Sequence, residues 1–211
     1  MDEGRDILSF ECNEPDGKVV RYVRPAVLTF ETFKGYYDKL KKFKTVFNSY
    51  VENNLDDFIK LFVSGDGKDD IRATGLIWEV DDVGILYLTE IAPGHDALAH
   101  FNFWDRIFNG REKLIRGMVR HVMDEFALHR VTVEVGMFAA PWLPKAVERI
   151  GFKREGRKRE AIKFDGKWFD SIMYSMLRSE VNEDGTKATR SNVTGNPPSR
   201  RHSGDSSGTT V

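Results

Sequence analysis

The chain has 211 residues, of which 40% are hydrophobic and 31% charged, and its formal net charge is −1. This is the profile of an ordinary globular protein with one domain as the default, and it excludes a fibre or a coat built from low-complexity sequence. The balanced charge leaves no global basic field to draw the molecule to nucleic acid or an anionic membrane.

The first ten residues, MDEGRDILSF, are acidic and lack a basic n-region, so no signal peptide is predicted. No window approaches the roughly 18 consecutive apolar residues of a membrane-spanning helix. Cys12 is the single cysteine, which excludes an internal disulfide and a cysteine cluster for zinc. A reducing, cytoplasmic setting and a buried, unreactive thiol are the expectation. Between Thr32 and Leu55 the residues Phe33, Tyr36, Tyr37, Leu40, Phe43, Phe47, Tyr50 and Val51 recur at spacings of three and four. That period predicts two helices, broken near Lys44 and Thr45. The runs FIKLFV, IRATGLIWEV and GILYLTEIA, between Phe58 and Ala92, predict three antiparallel strands separated by turns.

A loop is predicted from Gly94 to Asn109. Gly110 then opens a helix with Leu114, Ile115, Met118, Val119, Val122, Met123 and Phe126 on one face and charged residues on the other. HRVTVEV reads as a strand. A short helix follows from about Pro141 to Ile150, with Pro141 in its first turn and Gly151 as its stop. Two strands, Arg157 to Phe164 and Lys167 to Leu177, flank Asp165-Gly166, a hairpin signal. From Val181 to Val211 the composition turns to Gly, Ser, Thr, Asn and Pro with no aromatic residue, which predicts a disordered tail. The basic trio Arg200, Arg201 and His202 within it reads as solvated. So does KREGRKRE, at Lys153 to Glu160, whose glutamates break the basic run. The predicted organisation is a mixed α/β domain over residues 1–180 and a tail over 181–211, with one parallel crossover from Gly110 to Val135.

That crossover is where chemistry is expected. A loop feeding a helix presents unpaired N–H groups at the positive end of the dipole, which suits phosphate. Gly110 would let the backbone approach a pyrophosphate, and Arg106 and Arg111 would add charge-assisted hydrogen bonds. His95 and His100 stand five apart in the predicted loop, where either could exchange protons near neutral pH. No further ligand accompanies them, so no metal site is predicted. The nearby aromatics Phe101, Phe103, Trp104 and Phe108 read as pinning the loop, or as an acceptor pocket.

The string LHRVTVEV, a short helix, IGFKREGRKREA, an Asp-Gly turn and WFDSIMYSMLR resemble the carboxyl-terminal half of GCN5-related N-acetyltransferases. The pattern is most similar to the branch that acetylates protein amino termini, ribosomal proteins among them, and small amines. The match runs from about Gly84 to Glu180. It implies a central, mostly antiparallel mixed sheet with helices on both faces and a gap between the family's fourth and fifth strands that holds acetyl-coenzyme A. It implies a pyrophosphate on Asn109, Gly110, Arg111 and Lys113, and backbone near Leu88 and Ile91 holding the pantetheine. It also implies direct attack of an amine on the thioester, with Glu90 as first choice for the base and His100 and Tyr174 as further proton carriers.

Three positions depart from the family pattern. Its phosphate loop reads Arg or Gln, two residues, Gly, one residue, then Gly or Ala, whereas here the last small residue is Glu112. A carboxylate there repels a pyrophosphate unless it turns outward or pairs with Arg111. The Asn and Tyr that many members carry on the following helix are replaced by Ala140 and Val147, neither of which can donate a proton. These departures keep a second reading open: a noncatalytic module of the same fold, working as a homodimer or in a larger assembly such as a virus particle.

Overall fold

The computed structural model describes residues 7–14, 17–51, 54–65, 71–104, 110–181 and 189–191. The chain begins with a hairpin that the sequence reading left unassigned, β1 (Ile7–Glu14) and β2 (Gly17–Pro25). Its period is two: Leu8, Phe10 and Cys12 point inward and are almost fully buried.

Helix α1 (Phe30–Leu40) starts at Thr29, whose hydroxyl accepts from the Thr32 N–H at 3.1 Å, and buries Phe33, Tyr36, Tyr37 and Leu40. The expected second helix over residues 45–55 does not form. The chain instead passes through turns from 41 to 51, and Phe47 and Val51 are buried from there. FIKLFV, expected as a strand, is split: Phe58, Ile59 and Lys60 end a helix, Leu61 and Phe62 turn, and Val63 opens a short strand; the helix, α2 (Leu55–Lys60), is capped by Asn54, whose side-chain oxygen accepts from Asp56 and Asp57. A good N-cap followed by two acidic residues in the first turn favours helix over strand for the six residues that follow. Phe58 and Phe62, four apart, then bury fully against Phe33.

A two-stranded ribbon, β3 (Val63–Ser64) and β4 (Arg72–Ala73), precedes β5 (Leu76–Val80) and β6 (Gly84–Ala92). The predicted loop from Gly94 is overturned over most of its length: Asp96–Phe103 is strand β7, paired antiparallel with β6. Its alternation, Ala97, Ala99, Phe101 and Phe103 against His100 and Asn102, is that of a strand between two packed layers; the polar residues disguise it. Helix α3 (Arg111–Glu125), strand β8 (Arg130–Gly136) and helix α4 (Leu143–Ile150) follow as expected. Pro144, rather than Pro141, sits in the first turn of α4, and Gly151 ends it at φ 112°. The last hairpin, β9 (Lys153–Phe164) and β10 (Lys167–Leu177), turns on Asp165 and Gly166, both at positive φ.

Among the described residues the main sheet, with β11 (Thr189–Ser191) at one edge, has the order β11-β1-β2-β5-β6-β7-β8-β10-β9, with only β7 and β8 parallel. One face, with α3 and α4, holds a core of Trp78, Leu86, Met118, Val131, Tyr174 and their neighbours. The other face, over β5 and β6, holds an aromatic core under α1 and α2, with Phe33, Tyr37, Phe47, Phe58 and Tyr87 at its centre. The tail expectation needs amendment at its start: Val181 is buried at the end of a single helical turn, α5 (Arg178–Val181), and Thr189–Ser191 form β11 against β1. The rest of that segment lies outside the described residues. No helix of the described chain is long and apolar enough to cross a membrane.

Candidate functional site

The site follows from one irregularity in the sheet. β7 and β8 run parallel, yet they share a single paired position, Leu98 with Thr132. Past it no further position of the two strands is paired. Their closed end is stitched by Asp96, which accepts from Arg130 Nε and Nη2 at 3.1 and 2.9 Å and from the Thr132 hydroxyl at 2.8 Å. The His95 carbonyl accepts two further bonds, from the N–H groups of His129 and Arg130. At the open end, β7 leads into α3 and β8 into the turn Met137–Trp142. The unpaired carboxyl-terminal part of β7 therefore leads toward the amino terminus of a 15-residue helix, where first-turn N–H groups lack intrahelical partners.

That helix start carries no side-chain cap: Gly110 occupies the N-cap position at φ 83°. A Cβ there would lie 3.0 Å from the Cβ of Cys12, so both the left-handed backbone and the close packing on β1 demand glycine. Arg111 is partly buried with its guanidinium 6.0 Å from the Phe103 ring centroid, and Lys113 is exposed on the first turn. Glu112 does not pair with Arg111. Its Oε1 accepts from Arg149 Nε of α4 at 3.2 Å, which directs its charge to a cation on the neighbouring helix. Arg106 and Asn109, also expected at the phosphate, lie outside the described residues, as does Phe108.

The strand beside the gap is β7, not β6, and this moves several expected residues away from it. Leu88 is buried in the α3-side core, and Ile91 and Glu90 lie further along β6, one strand from the gap. Glu90 is exposed, with φ 51° at the irregularity between Thr89 and Ala92, level with the closed end. The Gly84–Ala92 run carries the strongest strand signal, which is why the sequence draws attention to it.

His100 is on β7, on the face away from α3. Its ring stacks on Tyr87 with centroids 4.3 Å apart, and its Nε2 is 3.2 Å from the Thr89 hydroxyl. Burial pushes its pKa down to about 4, so the ring is neutral at pH 7. Beneath it Tyr87 is held protonated by burial, which outweighs the opposing bond from Asn102. Tyr174 is 1% exposed in the core below α4. Burial, then the Glu148 carboxylate, raise its phenol. Val147 is likewise core, so no hydroxyl from α4 takes the place of the missing tyrosine. Phe101 and Phe103 face the α3-side core, while Trp104 receives the Lys39 ammonium 4.3 Å above its ring. Phe101 and Phe103 thus pack with one core and Trp104, just past β7, with the other. No group of three or more metal-ligating side chains occurs among the described residues.

Sequence reasoning did not single out Glu134, whose carboxylate accepts from Ser171 and Lys158. It lies on β8, two residues past the Leu98–Thr132 pair, on the face opposite the buried Val133 and Val135. Its only signal was a charged residue inside an otherwise apolar strand.

No protein-family profile and no curated protein sequence matches the chain. Solved structures do. A GNAT-family acetyltransferase from Bacillus anthracis is 15% identical with a TM-score of 0.54, over 81% of this chain and 100% of that one. RimJ from Mycobacterium smegmatis, solved with CoA-disulfide, is 16% identical with a TM-score of 0.59, over 85% and 90%. A variant of the spermidine N-acetyltransferase SpeG from Vibrio cholerae is 18% identical with a TM-score of 0.57, over 76% and 97%. At these identities the likeness fixes the fold.

Proposed function

We propose, from the GCN5-related N-acetyltransferase fold that the chain adopts, that the protein transfers an acetyl group from acetyl-coenzyme A to a primary amine of a protein or small molecule. The observation that carries this reading is the splayed β7–β8 pair opening onto the uncapped start of α3. Bound there, the coenzyme would supply an activated thioester.

The chain's residues fit such a ligand. Gly110 leaves room for phosphate oxygens at the unpaired N–H groups of the first turn, and Arg111 and Lys113 add positive charge. Arg149 draws the Glu112 carboxylate to α4 and weakens its repulsion of the anion. Past the Leu98–Thr132 pair, the backbone groups on the β8-facing edge of β7 have no ladder partner on β8. They can hold an extended chain of amides and polarise a carbonyl as charge develops on its oxygen.

The substitution of Val147 and Ala140 for proton-donating groups favours a second reading, a binding module that retains the pocket and has lost transfer. Titration calorimetry and a thiol-release assay separate the two. Acetyl-coenzyme A is expected to bind with micromolar affinity, and Arg111→Glu with Lys113→Glu to weaken it at least tenfold, about 1.4 kcal/mol. Thiol release with a panel of polyamines and free-amino-terminus peptides completes the enzyme reading. Binding without release from any amine supports the module, and no binding at millimolar ligand overturns both.

A further inference from the structure

We infer that the β9–β10 hairpin binds single-stranded nucleic acid on its α4 side, with Arg154, Arg159 and Lys163 meeting phosphates and Trp168 stacking on a base. This surface lies outside the gap, and its role is independent of the acetyl-transfer reading. Six of the eleven residues from Lys153 to Lys163 are cationic and two are acidic, and all eight are exposed. Strand register sorts these charges by face. The extra residues at both register shifts belong to β9, so β10 alternates regularly. Ile172, Tyr174 and Met176 face the core with α3 and α4, which places Trp168 and Asp170 on that side too. Arg154 stands opposite Tyr174, Arg157 opposite Ile172 and Lys163 opposite Trp168, so these three share that face.

Pairing removes some of the cations and leaves others. Lys153 and Lys158 pair with Glu180 and Glu134, and Arg157 takes up Asp170, the carboxylate of β10 on this face. Arg154, Lys163 and Arg159, which stands in the bulge between them, form no ion pair among the described residues. Trp168 lies in line with them and is 59% exposed. Trp142, at the start of α4 and toward the same end of the sheet, is 61% exposed. From Tyr174 to Trp168 the track is about 20 Å long at roughly 3.4 Å per residue, the reach of a few nucleotides. Cations on an edge strand also discourage strand addition, which accounts for the charge but not for a bare indole among it. An acidic peptide could not add here as a continuous strand. An extra residue at Glu155, and two more between Lys158 and Ile162 with Glu160 at φ 48°, interrupt the outer edge. A chain of phosphates needs only cations at intervals and a flat ring for a base, and the hairpin presents both.

Fluorescence anisotropy of a labelled oligouridylate of about 12 nucleotides, with the full chain, tests the assignment. Wild type is expected to bind with micromolar Kd at about 50 mM salt, and log K to fall against log salt with a slope near −2, about −0.7 for each of three phosphates. Arg154→Glu with Lys163→Glu should weaken binding about tenfold or more and flatten that slope. Trp168→Ala should weaken it about fivefold or more and leave the slope unchanged. The same strand annealed to oligoadenylate should bind about tenfold less well, because its bases are stacked on one another and closed to the indole. Equal thermal midpoints separate lost binding from lost fold; if the double reversal does not fold, Lys163→Ala, expected to weaken binding about threefold, takes its place. No binding at about 100 μM protein, equal binding of the duplex, or variants within about twofold of wild type overturn the assignment. Loss of binding in Arg200→Ala with Arg201→Ala but not in the hairpin variants overturns it by moving the site to the tail. Polyglutamate that displaces the oligonucleotide with an affinity indifferent to Trp168→Ala overturns it for an acidic protein partner.

Discussion

His100 shows how far a single side chain can move from its sequence expectation. In a loop it would titrate near neutrality; in β7 its ring lies against Tyr87 and burial lowers its pKa to about 4. The consequence is a stability term with a definite sign. Between about pH 6.5 and 4 the unfolded chain binds a proton at this position that the folded chain does not, so stability falls as pH falls through that window and levels off below it. The limit is roughly 3 kcal/mol for the full displacement. Urea unfolding from pH 7 to 4 is expected to show this slope in wild type, and His100→Gln to flatten it. A slope identical in both proteins would place the acid sensitivity elsewhere. Gly110 is the opposite case: its role at a helix start was legible from the sequence. Its contact with Cys12 was not, because a glycine's neighbours across the fold leave no local pattern. Glu112 likewise finds its cation on α4, 37 residues away.

Among the elements, those with a strong period and clear punctuation were legible. Helix α3 has its apolar stripe, α4 has Gly151, and β9–β10 has Asp165-Gly166. The elements that escaped were strands whose alternate positions are polar or charged. β1 mixes Ser9 and Glu11 with its buried residues, and β7 mixes His100 and Asn102 with Ala97 and Ala99, so each reads as loop until the second layer is known. For β7 the error mattered, because one missing strand shifted the gap from β7 to β6 and carried Leu88, Glu90 and Ile91 with it. What keeps β7 in place is its start, where Asp96 gathers Arg130 and Thr132. Asp96→Ala removes an ionised acceptor and leaves a guanidinium and a hydroxyl unsatisfied. It should cost about 2 kcal/mol in urea unfolding, at the charged-bond end of the range. A loss under about 0.5 kcal/mol would mean that the backbone bonds to His95 suffice to close that end.

At the scale of the whole molecule, the sheet divides its two faces between different tasks. α3 and α4 seal one face with an aliphatic core, and α1 and α2 seal part of the other with aromatic rings. The order of elements was enough to expect this architecture, because the carboxyl-terminal half reads in sequence as it packs. Which strands flank the gap depends on pairing between segments that share no local signal. The account as a whole turns on that gap. Crystals soaked or grown with acetyl-coenzyme A test it most directly. Ligand density should run between β7 and β8, with the pyrophosphate at the N–H groups of Gly110 to Lys113 and the thioester between the two strands. Density elsewhere on the surface, or β7 and β8 closed with no ligand at saturating concentration, would contradict it.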